Sequence, residues 1–230
     1  MEVLVIDIGG TSVKLWHTGH EEHRKFESGK SLTPEKMVAQ ATETVKDWEF
    51  EAIALGLPSR VNNGRPVEDP PSLGAGWVSY NFSSAFGKPI RILNDASLQA
   101  LGGYDGGRML FIGLGTAVGS ALIAERLVLS LDIGRFRYGE ERVYEVLGDG
   151  GLDRLGLKKW RIAVNEITIA AKNALMADYV VLGGGNIKKI EEIPDGVRRG
   201  HNRNVVEGGR RLWEELPDPA KPSSTDWLIL

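Results

Sequence analysis

Hydrophobic and polar positions follow two different periods along the chain, and these periods predict strands and helices in alternation. Compact apolar runs bounded by Gly, Pro or polar residues predict strands at 3–6, 13–16, 52–57, 90–93, 109–112, 120–124, 127–133 and 179–182. The segment 22–26 is predicted as a third strand after the first two. Amphipathic stretches predict helices from Pro34, with Thr33 as N-cap, from Ala96, and at 140–147, 157–176 and 205–216. This alternation is typical of an α/β protein.

The strand pattern of the first part of the chain returns in the second part. A strand, a glycine turn and a second strand occupy 3–16, and the same succession follows at 109–124. Repetition of a plan predicts two similar lobes. We place them at 1–105 and 106–230, with the carboxyl-terminal segment packing back on the first lobe. Four glycines at the junction predict a hinge: Gly102, Gly103, Gly106 and Gly107.

Two further segments have the composition of loops or linkers. Residues 58–79 are rich in Gly, Pro, Ser and Asn, which predicts a long irregular segment. Loops of that length in a compact domain usually have a function. The stretch 217–224 is rich in Pro and Ser and predicts a linker.

Three of the predicted strands end in glycine turns. The turns are Asp7-Ile8-Gly9-Gly10-Thr11, Gly113-Leu114-Gly115-Thr116 and Gly183-Gly184-Gly185. Glycine lets the backbone approach a phosphate closely, N–H groups beyond strand ends form an anion site, and Thr11, Thr116 and Lys14 add donors. A plain hairpin explains the first turn taken alone, but three such turns favour phosphate binding. The chain has neither a P-loop sequence nor the glycine pattern of a Rossmann site.

Asn94 and Asp95 stand between a predicted strand and a predicted helix. One interpretation is structural, since Asn and Asp are favoured helix N-caps. The other is catalytic, because a carboxylate beside a phosphate site can take the proton of an attacking hydroxyl. The local sequence leaves both interpretations open.

Composition and charge exclude several classes of protein. The net charge of −3 argues against a nucleic-acid or membrane-surface partner. The absence of cysteine excludes disulfides, a thiolate nucleophile and a cysteine-ligated zinc site. His17, His20 and His23 lie close together, but histidines near a turn are common, and we favour a surface position over a metal site. No apolar run approaches the roughly 20 residues of a membrane span, so we expect a cytoplasmic protein without a signal peptide.

The motifs together resemble those of the ROK family of sugar kinases, within the actin and hexokinase superfamily. The matching stretches are Asp-Ile-Gly-Gly-Thr at 7–11 with Lys14, Asn-Asp-Ala at 94–96 with Ala-Leu-Gly at 100–102, Leu-Gly-Thr-Ala-Val-Gly at 114–119, and Leu-Gly-Gly-Gly at 182–185. Their order covers nearly the whole chain, and they look most like the glucokinase and polyphosphate-glucokinase-like branch. The resemblance implies a duplicated, two-lobed actin-like ATPase fold, which is ribonuclease H-like, with a cleft between the lobes.

The resemblance also implies a role for each motif in phosphoryl transfer to a hexose. Asp95 would be the general base, Asn94 would bind a neighbouring sugar hydroxyl, and Asp7 would hold Mg²⁺ through water. The donor, ATP or polyphosphate, would lie on the glycine turns. Its phosphates would contact Gly9, Gly10, Thr11, Gly115 and Thr116, and its nucleoside would contact Gly183, Gly184 and Gly185, with Gly208 and Gly209 nearby. A homodimer is also implied.

The departures from the family pattern concern the acceptor side. Asp132-Ile133-Gly134-Arg135 stands where the family has Glu-x-Gly-His, and Asp132 can still accept sugar hydroxyls. Ser72 stands where Asn is common, and Ala117 replaces a glycine of the second phosphate motif. The family's zinc motif is absent, so no zinc is expected. Phosphate handling is thus predicted to be intact and sugar recognition altered.

Two other functions remain as alternatives to a sugar kinase. The altered residues at 132–135 fit a non-catalytic or regulatory protein that binds a nucleotide or sugar, although retention of Asp95 argues against it. The second alternative is a nucleotide hydrolase of the wider superfamily. The sequence leaves the sugar and the donor undetermined, and no basic channel for polyphosphate is evident in it.

Overall fold

The computed structural model describes residues 1–124, 127–201 and 203–214, together with the backbone of 228–229. The strands of this part are β1 (Val3–Ile8), β2 (Ser12–His17), β3 (His23–Glu27), β4 (Ala52–Leu57), β5 (Val61–Asn62), β6 (Arg65–Pro66), β7 (Ile90–Asn94), β8 (Met109–Leu114), β9 (Val118–Ala124), β10 (Leu127–Leu131), β11 (Arg137–Tyr138), β12 (Glu141–Arg142), β13 (Tyr179–Gly183), β14 (Val197–Arg199) and β15 (Leu228–Ile229). The helices are α1 (Pro34–Thr44), α2 (Phe82–Phe86), α3 (Asp95–Gly103), α4 (Val143–Leu147), α5 (Asp149–Ala174) and α6 (Asn204–Leu212), with 3₁₀ turns at Ile133–Arg135 and Gly185–Lys189.

Two mixed sheets repeat one plan. The first has the order β3-β2-β1-β4-β7, in which β2 is antiparallel to both of its neighbours and β1, β4 and β7 are parallel. The second has the order β14-β13-β8-β9-β10-β15, in which β9 is the antiparallel strand beside β8. In each sheet a hairpin is joined to parallel strands. The α/β class and the duplicated plan are therefore confirmed.

The sheets are buried on both faces, which accounts for their nearly continuous apolar runs. In β1, Leu4 and Ile6 face α1, whereas Val3 and Val5 face the layer between the sheets, as the period of two in a strand requires. The second sheet packs its outer face on α5 through Trp160 and its neighbours. A fully buried Leu or Ile contributes about 1.5–3 kcal/mol to folding.

Helices α3 and α6 form the middle layer, and glycines allow their close approach. A Cβ on Gly102 would lie 1.7 Å from the carbonyl oxygen of Asn204, and one on Gly208 would lie 2.0 Å from that of Leu98. Helix α6 also rests on the first sheet, because a Cβ on Gly209 would lie 2.3 Å from Val5 Cγ2. Gly208 and Gly209 thus serve packing and do not line the cleft described below. This corrects their expected place beside the nucleotide.

The junction at 102–108 differs from a simple glycine hinge. Gly102 and Gly103 belong to α3, and only Gly106 and Gly107 form a turn, with φ of 82° and 64°. The boundary between 105 and 106, and any hinge there, stay predictions.

Several element boundaries differ from the predicted ones. The helix predicted at 140–147 is wrong in its first part, where Gly139, with φ of 62°, turns β11 into β12 before α4 begins. The strand predicted at 127–133 ends at Leu131. Helix α5 begins earlier than 157, at Asp149, and Gly156 interrupts it. Helix α6 ends at Leu212, and the predicted linker at 217–224 lies outside the described residues. Among the helices described, none is long and apolar enough to cross a membrane.

Candidate active site

A cleft of about 1230 Å³ lies between the two sheets, where the strands end in glycine turns. The lining includes Asp7, Gly9, Gly10, Thr11, Lys14, Asn94, Asp95, Gly115, Thr116, Asp132, Gly184 and Gly185. The structure therefore brings together around one cavity nearly all residues that the sequence predicts for the site. Gly183 is the exception, because it is not part of the lining. It packs on the Phe111 ring instead, and a Cβ on Gly183 would lie 2.6 Å from Phe111 Cζ.

The first glycine turn is fixed by backbone and serine hydrogen bonds. The Gly9 N–H donates to the Ser12 carbonyl at 2.9 Å, and the Ser28 hydroxyl donates to the Gly9 carbonyl at 2.6 Å. The Ser28 N–H donates to the Thr11 carbonyl at 3.2 Å. With its carbonyls thus engaged, the turn is held in one geometry where an anion can approach its N–H groups.

The second and third turns are joined through Asp149, which sequence reasoning missed. Thr116 Oγ1 donates to Asp149 Oδ2 at 3.0 Å, and the Asp149 N–H donates to the Gly115 carbonyl at 3.1 Å. The buried Asn186 donates from Nδ2 to Asp149 Oδ1 at 2.7 Å. The Gly-Asp-Gly-Gly run at 148–151 is the local signal that could have indicated Asp149.

The third turn also packs directly against the second. Gly184 has φ of 82°, and a Cβ there would lie 2.3 Å from the Leu114 carbonyl oxygen. Only glycine fits this position, because both the backbone angle and the contact exclude a side chain.

Asn94 is the N-cap of α3, as the structural interpretation predicts. Its Oδ1 accepts from the N–H of Ala96 at 3.0 Å and from that of Ser97 at 3.4 Å, and its Nδ2 donates to the Ser59 carbonyl at 3.1 Å. The Asn94 amide also interacts with the neighbouring Asp95 carboxylate, which opposes the rise in the pKa of Asp95 described next.

Asp95 lies at the floor of the cleft, close to Asp7. Its Oδ1 accepts from the Ala96 N–H at 2.9 Å. Burial, together with the Asp7 carboxylate, raises the pKa of Asp95 to about 7. Burial also raises the pKa of Asp7, against the opposing effect of Lys14, its partner across β1 and β2. A carboxylate with a pKa near neutrality suits proton transfer at physiological pH.

Asp132 and Arg135 lie at the rim of the cleft and pair with each other. Arg135 Nε donates to Asp132 Oδ2 at 2.6 Å, and both side chains are exposed. The buried Ser120 hydroxyl holds the segment before them, accepting from the Ile133 N–H at 3.2 Å and donating to the Leu131 carbonyl at 3.0 Å. Asp132 is thus in the cleft, with part of its carboxylate engaged by arginine.

The irregular segment 58–79 supplies one wall of the cleft and is anchored by a buried tryptophan. The Asp69 carboxylate accepts from the N–H groups of Gly76, at 3.1 Å, and Trp77, at 2.7 Å. These bonds hold the pKa of Asp69 below its ordinary value. Trp77 Nε1 donates to the Gly74 carbonyl at 2.8 Å, so the wall has a fixed shape.

Basic side chains from distant parts of the chain gather in the cleft. Of the described residues, those with basic side chains in the lining are Lys14, Arg60, Arg135, Lys188 and Lys189. Carboxylates line the same cleft in equal number, namely Asp7, Glu68, Asp95, Asp132 and Asp149. The lining is therefore mixed in charge, and it does not form the basic channel that polyphosphate would favour.

The clustered histidines lie elsewhere. His17 is buried, with Nε2 2.8 Å from the Glu49 carbonyl oxygen, and His23 stacks on Trp16. His17 is therefore not the surface histidine that we predict. Within the described residues, no group of three or more His, Asp or Glu side chains is arranged as a metal site.

Comparisons with known proteins agree with this fold. Polyphosphate glucokinase of Mycobacterium tuberculosis is 23% identical over 209 residues, which are 81% of this chain and 78% of that protein. The inorganic polyphosphate/ATP-glucomannokinase from Arthrobacter sp. strain KM superposes with a TM-score of 0.78 at 17% identity, covering 90% of this chain and 96% of that one. No family model matches the sequence.

A further solved structure carries the family name. The ROK family glucokinase from Streptomyces griseus, in complex with glucose and AMPPNP, superposes with a TM-score of 0.72 at 14% identity, covering 92% of this chain and 99% of that one. The two-lobed actin-like fold is thereby confirmed. In sequence the chain is similar to polyphosphate glucokinase, and in fold it is similar to the two solved sugar kinases, one of which is named as a ROK family glucokinase.

Proposed function

We propose that this protein is a carbohydrate kinase that transfers a phosphoryl group to a hexose hydroxyl, with Asp95 as the general base. The observation that carries the proposal is the position of Asp95. It lies at the floor of one cleft, between the glycine turns and the wall formed by 58–79, with its pKa raised to about 7. The names of the relatives support the same class of reaction.

Each part of the cleft has a task in this reaction. The backbone N–H groups of the turns at 9–11 and 115–116 bind the donor phosphates. Asn94 binds a sugar hydroxyl through its side-chain amide, and Asp132 accepts a hydrogen bond from another hydroxyl. Asp95 takes the proton of the attacking hydroxyl as the new O–P bond forms and the donor loses its terminal phosphoryl group. The Thr116 hydroxyl donates its proton to Asp149. Thr116 therefore does not donate a side-chain hydrogen bond to the phosphates, although the sequence predicts that it does.

The residues on the floor fit a magnesium ion. Asp7 and Asp95 place two carboxylates close enough for the charge of Asp7 to raise the pKa of Asp95. Hard oxygen ligands of this kind suit Mg²⁺, which keeps several of its waters, and Asp7 would hold it through water. When bound, Mg²⁺ neutralises charge on the donor phosphates.

The donor is a nucleoside triphosphate or polyphosphate. Two of the compared proteins are named for polyphosphate or for polyphosphate and ATP, and the third was solved with AMPPNP, so the comparisons support either donor. Lys14, Lys188 and Lys189 line the cleft and can attract the phosphates of either one. The homodimer and the cytoplasmic location stay predictions.

The test is an assay of phosphoryl transfer with Mg²⁺, either donor, and a panel of glucose, mannose, fructose and N-acetyl sugars. We expect transfer to at least one sugar and a loss of a thousandfold or more in Asp95→Asn. Asp153→Asn removes an exposed carboxylate from the surface of α5 and serves as the control. Nucleotide binding without transfer to any sugar would favour the non-catalytic alternative. Hydrolysis that is indifferent to sugar would favour the hydrolase.

A further inference from the structure

Asp149 uses each of its polar groups to connect the two turns on the donor side. Its N–H and Oδ2 are engaged by the second turn, through Gly115 and Thr116, and its Oδ1 by Asn186 in the third. The Asn186 amide is buried, so the geometry of this connection is fixed by the core.

The carboxylate retains hydrogen-bonding capacity toward the cleft. A carboxylate oxygen has two lone-pair directions, and each oxygen of Asp149 receives one hydrogen bond from the protein. Asp149 lines the cleft and is partly exposed there. Two acceptor positions and a negative charge are therefore presented to whatever lies between the second and third turns.

The proposed function determines which part of the donor lies at this place, and the inference rests on it. With phosphates on the second turn, the next group of a donor extending toward the third turn passes Asp149. In a nucleoside triphosphate that group is ribose, whose vicinal hydroxyls are hydrogen-bond donors. In polyphosphate it is another phosphate, which has only acceptor oxygens and is repelled by a carboxylate.

We propose that Asp149 is a donor-selecting residue, whose carboxylate accepts hydrogen bonds from the ribose hydroxyls of a nucleoside triphosphate. Lys188 and Lys189 also line the cleft, just after the third turn. Their positive charges attract polyphosphate as well as a nucleoside triphosphate, so the assay compares the two donors directly.

The experiment measures kcat/KM for ATP, 2′,3′-dideoxy-ATP and polyphosphate in wild type, Asp149→Asn and the control Asp153→Asn. Asparagine can keep the connection, because its Oδ1 can accept from Asn186 while its Nδ2 donates to Thr116. We expect wild type and control to prefer ATP over the dideoxy analogue by at least tenfold. In Asp149→Asn that preference falls to about twofold or less, and kcat/KM falls by a smaller factor with polyphosphate than with ATP.

Three results would overturn the proposal. The first is an equal fall in kcat/KM with all three donors in Asp149→Asn. The second is an unchanged preference of Asp149→Asn for ATP over the dideoxy analogue. The third is a wild type that uses polyphosphate but not ATP. If no sugar is phosphorylated, the proposed function fails, and the affinities for ATP and its dideoxy analogue are measured by calorimetry instead. Loss of the ribose preference in Asp149→Asn then still supports the role of Asp149, and failure of wild type to bind ATP refutes it.

Discussion

Replacing Asp95 by asparagine should stabilise the protein at the pH where it abolishes phosphoryl transfer. The pKa of Asp95 is about 7 in the folded chain, against an ordinary value of 3.8. Because the pKa of Asp95 is higher in the folded chain than in the unfolded one, the protonated carboxyl group stabilises the folded state relative to the ionised one. This stabilisation is complete below pH 3.8 and is lost as the pH rises to 7. The cost of ionised Asp95 above pH 7 is therefore about 4 kcal/mol at most.

The expected gain is smaller than this limit, since the carboxylate is partly exposed to the water of the cleft. We expect Asp95→Asn to raise the free energy of unfolding by about 1–3 kcal/mol at pH 8 and by almost nothing at pH 4. Asparagine keeps an oxygen that can accept from the Ala96 N–H, and Asn94 still caps the helix. The bond from the Ala96 N–H and the cap of α3 are therefore kept in the variant.

The assay is chemical denaturation of wild type and variant between pH 4 and pH 8, without divalent cations. Asp153→Asn, on the surface of α5, should show no such pH-dependent gain. Asp7→Asn provides a second check, because it removes the charge that helps to raise the pKa of Asp95 and so reduces the gain from Asp95→Asn. A variant that is less stable at pH 8, or equally altered at pH 4 and pH 8, would refute the reasoning.

Four further predictions concern the pKa of Asp95 and the space around three glycines. At a low, fixed concentration of Mg²⁺, kcat/KM should rise with pH as Asp95 ionises and should level off above about pH 7. A flat profile from about pH 5 to 9 would exclude this base. Gly119→Ala places a Cβ 2.8 Å from that of Ala96 and should cost about 1–3 kcal/mol with a loss of transfer, and unchanged melting would contradict the contact. Gly102→Ala should cost about 3 kcal/mol or more in thermal unfolding, since α6 must move away from α3. Gly150→Ala, which meets nothing within 4 Å, should be neutral or stabilising by up to about 1 kcal/mol.

The parts of the fold that sequence predicts well are those determined by local chemistry. The strands are continuous apolar runs, and Thr33 and Pro34 mark the start of α1 by a side-chain cap and a preset backbone angle. The short β11–β12 hairpin was missed because Gly139 turns the chain within a stretch whose periodicity looks helical. Its register depends on packing against neighbouring elements, which periodicity does not describe.

The candidate site divides in the same way. Glycine turns at strand ends are visible in the sequence, because each is a local signal at the end of an apolar run. Asp149 was not visible, because Thr116 is 33 residues away along the chain and Asn186 is 37 residues away. The basic side chains of the cleft could not be predicted as one group from the sequence, because only the arrangement of the two sheets brings them to one cavity.

The two interpretations of Asn94 and Asp95 apply to different residues: the cap is observed at Asn94, and the general base stays a proposal for Asp95. Asn94 supplies the cap, because its Oδ1 accepts from two N–H groups of the first turn of α3. Asp95 is then not needed to begin the helix, and its charge is placed on a floor where burial and Asp7 both oppose ionisation. Asp95 adds one bond, from the Ala96 N–H, which Asn94 Oδ1 also accepts. A carboxylate that costs stability and adds so little to the cap is better explained by chemistry than by folding. This makes Asp95→Asn the substitution that separates the two explanations.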